Sequence, residues 1–214
     1  MNVSHIDMLA AGTAVLAVWM CGVTRVRAQL WGLALQTAFL AVICLVLGLH
    51  PGESHFLVLA ATVLIVKAIG IPVFLAWSAR RLDISRDSGA ILSATAALFC
   101  GSGVLAAGYF AAPQFAKPHM GNGGAAGMSL ALLLIGMLLM ITRRLALSQV
   151  IGFLVLENGI FLYGLTQTHG MPLLIEMGVA FEVLVAVMVS GLVIHRLNRS
   201  FEHVDVTQLR GLRH

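Results

Sequence analysis

Ser148-Gln-Val-Ile-Gly-Phe-Leu-Val-Leu-Glu-Asn-Gly-Ile-Phe-Leu162 is an apolar run with a single carboxylate, Glu157, near its middle. About 20 apolar residues suffice for a helix to cross the hydrocarbon of a bilayer. Within that layer the backbone must satisfy its own hydrogen bonds, which a helix does. Just upstream stand Arg143 and Arg144, whose charge holds that end of the segment at a membrane surface. The run therefore reads as a transmembrane helix with an acid buried inside it.

Working outward, the same pattern recurs along the chain. Spans are expected near 4–23, 28–48, 56–78, 89–112, 124–142, 148–166 and 171–195. The expected fold is all-α, a polytopic membrane protein with seven transmembrane helices. It divides into a four-helix region (1–112), an external Pro/Gly-rich loop (113–123), a three-helix region (124–197) and a tail (198–214). Composition agrees, since 59% of the 214 residues are hydrophobic and only 10% are charged, with a mean hydropathy of +0.96. A soluble domain of this length could not bury that much apolar surface. The first residues, Met1 to Asp7, lack the basic stretch of a signal peptide, so the first span is expected to remain uncleaved.

Arginines set the orientation. Arg25 and Arg27 follow the first span, Arg80, Arg81 and Arg86 the third, and Arg143 and Arg144 the fifth; Arg196, Arg199, Arg210 and Arg213 follow the seventh. The opposite connections hold Lys117 as their only basic residue of this kind. By the positive-inside rule the N-terminus faces outside and the tail faces the cytoplasm. A missed or invented helix would have scattered the arginines to both sides.

Against this background the ionisable groups inside the spans stand out. They are Glu157 in the sixth, Glu176 and Glu182 in the seventh, and Lys67 in the third, within Ala60-Ala-Thr-Val-Leu-Ile-Val-Lys-Ala-Ile-Gly-Ile-Pro72. A charge at such depth costs several kcal/mol and usually lines a polar pathway or a protein interface. Desolvation disfavours the ionised form of a carboxylate, and an acid that both takes up and releases a proton is what a relay requires. A protonated glutamate bonded to a neighbouring helix is the plainer alternative for Glu157 and Glu182. Glu176 and Glu182 are separated by about 9 Å along a helix axis and about 120° around it, so no proton passes directly between them. Glu176 also lies near the outer end of its helix, where water and the helix dipole favour a carboxylate.

Lys67 requires a partner, a carboxylate or carbonyl from this chain or from a neighbouring subunit. A structural ion pair and a transport role both fit it. Pro72 removes a helical donor one turn later and is expected to bend the third span. Asp7 and His5 are read as solvated at the outer end of the first span. His50, His55, His119 and His169 fall in outer connections without the spacing of a metal site. Gly101, Gly103 and Gly152 are read as packing sites. Cys21, Cys44 and Cys100 are far apart, each in an apolar segment, and are expected to be buried small hydrophobes. No cofactor-binding motif, metal motif or nucleic-acid-binding tract is present.

Two stretches resemble a known family. Gly152-Phe-Leu-Val-Leu-Glu-Asn-Gly-Ile-Phe-Leu162 and Gly170-Met-Pro-Leu-Leu-Ile-Glu-Met-Gly-Val-Ala-Phe-Glu-Val-Leu-Val185 are similar to the hydrogenase-4 component E family. Its members are membrane subunits of group 4 nickel-iron hydrogenase and formate hydrogenlyase complexes. Lys67-Ala-Ile-Gly-Ile-Pro72 and Asp205-Val-Thr-Gln-Leu-Arg-Gly-Leu212 also look like that family. Spans five to seven further resemble the K subunit of respiratory complex I and its relative in multisubunit cation/proton antiporters. Arg143-Arg144, Glu157 and Glu182 match the K-subunit layout, whereas Asn158 and Glu176 depart from it.

The resemblance implies a non-redox subunit of the bacterial inner membrane, with no cofactor and no catalytic centre of its own. Its partners would be an antiporter-like subunit, a complex I-like anchor subunit and the lipid bilayer. The expected function is proton translocation through Glu157 and Glu182, with Glu176 and Lys67 as secondary members. The alternatives are a structural scaffold joining those subunits and a subunit of a cation/proton antiporter. An independent small-molecule transporter fits least, for want of paired interrupted helices. The tail, with Phe201, Val204, Val206, Leu209 and Leu212 among its charges, is expected to dock on a partner.

Overall fold

A computed structural model describes residues 3–49, 55–82, 86–87, 89–115, 123–167, 185–187 and 189–191. Six helices among them are long and apolar enough to cross a membrane. They are α1 (Val3–Gly22), α2 (Val26–Gly48), α3 (His55–Arg81), α4 (Ala94–Phe115), α5 (Gly123–Thr142) and α6 (Ala146–Gln167). The protein is thus a multi-pass, all-helical membrane protein. Of the expected seventh span, residues 185–187 and 189–191 are described and helical; Glu176, Glu182 and the tail lie outside the described residues.

α1 packs on α2, α4 and α5, while α2 reaches α1, α3 and α6. α5 and α6 form the most extensive helix pair, and glycine explains how closely they approach. A Cβ on Gly136 would run into the backbone of Leu156, at 2.6 Å from its Cα. One on Gly159 would sit 2.7 Å from the Leu133 nitrogen. Gly152 likewise faces the Met140 nitrogen and Gly101 faces Cys21 Sγ, so both serve packing. Gly103 does not; nothing lies within 4 Å of the Cβ it would carry. Cys21 and Cys44 are buried, but Cys100 is exposed on α4. That outer helix also turns Phe99 and Phe110 outward, as a lipid-facing surface would.

α4 begins five residues later than hydropathy places it. Ser93 is the cause: its Oγ accepts a hydrogen bond from Ala96 N–H at 3.2 Å and its carbonyl accepts one from Ala97 N–H, the arrangement of an N-cap. Residues 89–93 instead run across the end of α5, where Ile91 N–H donates to the Thr142 carbonyl at 2.8 Å. α4 also continues through Pro113 to Phe115, beyond the expected boundary at 112.

α3 departs from regular geometry in its middle. Val63–Gly70 forms a π-helix, and Ile71 N–H donates to the Val66 carbonyl five residues back. Pro72 follows at once and supplies no N–H. The helix therefore absorbs the missing donor by widening over the turns that carry Lys67.

The described arginine-bearing connections meet at one end of the bundle. Arg25 and Arg86 form an isolated bridge, and Asp87 N–H donates to the Thr24 carbonyl at 2.9 Å. Arg143, read from sequence as a topology marker and as one of an arginine pair resembling the K-subunit layout, is buried there. Its Nη2 donates to the carbonyls of Cys21 at 2.7 Å, Val23 at 3.0 Å and Met20 at 3.4 Å. Those carbonyls belong to the end of α1 and the turn beyond it, where orphan acceptors need donors. At the other end Asp7 does more than meet solvent, because its Oδ1 accepts from Ala125 N–H at 2.8 Å and caps the start of α5.

A polar layer at mid-helix depth as the candidate functional site

Lys67 and Glu157 find one another. Lys67 Nζ donates to Glu157 Oε1 at 2.8 Å, with the two side chains 8% and 5% exposed. One comes from the centre of α3 and the other from the centre of α6, 90 residues away in sequence. The carboxylate partner that Lys67 requires is therefore on this chain. Phe161, one turn beyond Glu157 on the same face of α6, places its ring centroid 5.3 Å from Nζ. That contact adds a cation–π attraction, worth more out of water than in it.

The pair belongs to a wider layer. Asn158, beside Glu157 but pointing toward α2, donates through Nδ2 to Gln36 Oε1 at 3.0 Å and to Thr37 Oγ1 at 3.2 Å. Gln36 Nε2 donates onward to the Thr13 carbonyl on α1 at 3.0 Å. Thr37 Oγ1 donates to the Leu33 carbonyl at 2.9 Å and Thr13 Oγ1 to the Ala10 carbonyl at 2.6 Å. All these residues are buried, and each stands near the midpoint of its helix. Alternating helices that enter from opposite sides thus bring their polar residues to one depth.

The layer is not saturated. Glu157 Oε2 and Asn158 Oδ1 are buried and have no hydrogen-bond partner among the described residues. A buried acceptor in that condition calls for a hydrogen-bond donor such as an ordered water molecule.

Glu157 and Lys67 are thus brought together, while Glu176 and Glu182 lie outside the described residues. Thr13, Gln36 and Thr37 went unread in the sequence, although a polar side chain in mid-span is itself the signal, since it must find a partner on another helix. Among the described residues no cluster of His, Cys, Asp and Glu could hold a metal ion.

Comparison with known proteins places this layer in context. No protein-family profile and no solved structure matches the chain. An uncharacterized protein of Mycobacterium tuberculosis is 30% identical over 210 residues, covering 97% of this chain and 96% of that one. Hydrogenase-4 component E of Escherichia coli K12 is 26% identical over 181 residues, 84% of each chain. Component E of Shigella flexneri matches to the same extent.

Proposed function

The chain belongs to the family of that mycobacterial protein and is homologous to hydrogenase-4 component E, and from this premise we propose that it is a non-redox membrane subunit of a hydrogenase-4-like complex. In this reading it sits in the bacterial inner membrane, N-terminus outside and tail in the cytoplasm, with a seventh span completing the bundle. Glu157 and Glu182 carry protons, and Glu176 and Lys67 are secondary members of the pathway. The likeness of residues 124–197 to the complex I K subunit is part of the proposal, as are the antiporter-like and anchor partners.

The observation that carries the reading is the Lys67–Glu157 pair, buried at mid-depth with Glu157 Oε2 unpartnered. A carboxylate so placed has one oxygen held by a cation and the other open to a proton donor. Uptake of a proton weakens its hold on Lys67, and loss restores it. That is the elementary cycle of a carboxylate that carries protons.

Glu157→Gln keeps shape and removes titration. In the assembled complex, reconstituted in vesicles, Glu157→Gln and Glu182→Gln are each expected to abolish proton translocation while the subunits still co-purify. Normal translocation in either variant refutes that residue's role.

The scaffold reading also has an observation in its favour. The Asn158 bonds to Gln36 and Thr37 and the 2.8 Å ion pair tie α6 to α2 and α3 as interface bonds would. If holding helices together were their whole purpose, the glutamine variants would assemble and translocate normally.

A further inference from the structure

Away from the polar layer, α2 and α3 part to leave a groove of about 440 Å³. On α2 it is lined by Arg27, Trp31 and Ala34, and on α3 by Arg80, Ala76 and Ala68. Spacings of three or four residues, with Pro72 between Ala68 and Ala76, put each set along one face of its helix. Both arginines lie at the same end, the end where Arg25 and Arg86 meet, and both are exposed. Beyond Ala34 the groove continues into a second hollow of about 700 Å³ whose walls are almost wholly apolar. Trp31, 77% exposed, borders both.

We propose that this groove binds one anionic phospholipid, its phosphate between Arg27 and Arg80 and an acyl chain along Ala34, Ala68 and Ala76. The ligand follows from the chemistry of the walls. Small side chains leave room at the depth of the acyl tails, where an acyl chain meets almost wholly apolar walls. Two guanidiniums from different helices line the groove at the arginine-bearing end of the bundle, the arrangement by which basic hollows between spans take anionic headgroups. No described carboxylate pairs with either arginine, so their charge is available to a ligand. Trp31 stands one turn inside Arg27, at the interfacial level that indole rings favour.

The test uses the full chain in mild detergent, with lipid retention read by native mass spectrometry after exchange into phosphatidylglycerol or phosphatidylcholine. The wild type is expected to retain one phosphatidylglycerol and to release phosphatidylcholine. Arg27→Gln combined with Arg80→Gln should weaken retention roughly thirtyfold, about fivefold for each guanidinium. Arg25→Gln, at the same end but outside the groove, should retain the lipid as the wild type does. Ala34→Leu, which fills the groove and keeps both charges, should also release it. Equal retention of the two lipids, retention by the double variant, or a partner protein seated on this face with no lipid beneath it would each overturn the proposal.

Discussion

Removing Lys67 alone should destabilise the bundle far more than removing both members of the Lys67–Glu157 pair. At 2.8 Å, and with an effective dielectric constant of about 20, the gross attraction is about 6 kcal/mol. Desolvation of two charges cancels much of that, so the net worth of the pair against apolar residues of like volume is close to zero. Removing Lys67 alone is different, because Glu157 then stays buried without the cation that holds its Oε1. That costs about 3–5 kcal/mol.

Lys67→Met keeps the volume and a contact with Phe161, but leaves both oxygens of Glu157 without a donor among the described residues. Glu157→Gln keeps an acceptor for Lys67 and falls at the lower end of the range. The double variant should recover at least about 2 kcal/mol of the summed losses. In a chain of this length about 1 kcal/mol moves a thermal midpoint by about 2–4 °C. Lys67→Met is therefore expected to fall by roughly 6–20 °C in detergent, and the double variant to rise above it. Midpoints of the single variants within about 2 °C of wild type, or losses that simply add, would refute the claim that these groups are coupled in a dry site.

Three further outcomes follow from the packing and the caps. Gly136→Ala puts a methyl group against the Leu156 backbone, so α5 and α6 must separate; a loss of about 1–3 kcal/mol is expected, read as a lower midpoint, and an unchanged midpoint would mean that the helices do not approach so closely. Arg143→Met removes a charged donor from three carbonyls at the end of α1 and should cost about 3 kcal/mol or more, whereas Arg144→Met should cost little. Asp7→Ala should lose about 1 kcal/mol of capping and Asp7→Asn, which keeps an acceptor for Ala125 N–H, almost none; hydrogen exchange at the first turn of α5 reads the difference.

The fold was legible wherever hydropathy and punctuation coincide. α5 and α6 lie within two residues of their expected bounds, because a glycine cluster opens one and an arginine pair separates the two. α4 was displaced because residues 89–93 are as apolar as a span, and only the Ser93 cap and the bond from Ile91 to Thr142 keep them out of the helix. Hydropathy is also blind to helix pitch. Pro72 marked the place of an irregularity, but a π-turn and a bend are equally compatible with a proline.

The site was half legible for a related reason. Lys67 and Glu157 announced themselves by their cost in hydrocarbon, and Lys67 implied a partner. Which partner could not be read, since a 90-residue separation carries no periodicity. Gln36, Thr37 and Thr13 are uncharged, cost less to bury, and so blend into apolar spans. Asn158 was visible as an amide directly after Glu157, and its bonds to α2 give it a physical setting that the sequence alone did not supply.

The composition of the middle layer bears on why it contains charge at all. Helix-to-helix ties across a bilayer core need no ionisable group: the amide of Asn158 already links α6 to α2, and Gln36 extends that link to α1. An ion pair in the same layer adds little net stability over a leucine and a methionine of similar volume. It adds the capacity to change protonation, together with an open oxygen on Glu157 and a cation carried on the one irregular turn of α3. Widened helical turns hold a side chain in place through fewer regular backbone constraints than the turns of α2 or α6. On the proposed reading, Lys67 can follow the charge of Glu157 because its own turn is, among the described helices, the one that leaves α-helical geometry. Straightening that turn is the corresponding perturbation. Pro72→Ala restores a backbone donor to α3, and it should leave the ion pair assembled while slowing proton translocation in the intact complex. Unaltered translocation with a regular helix would show that the irregular turn has no part in it.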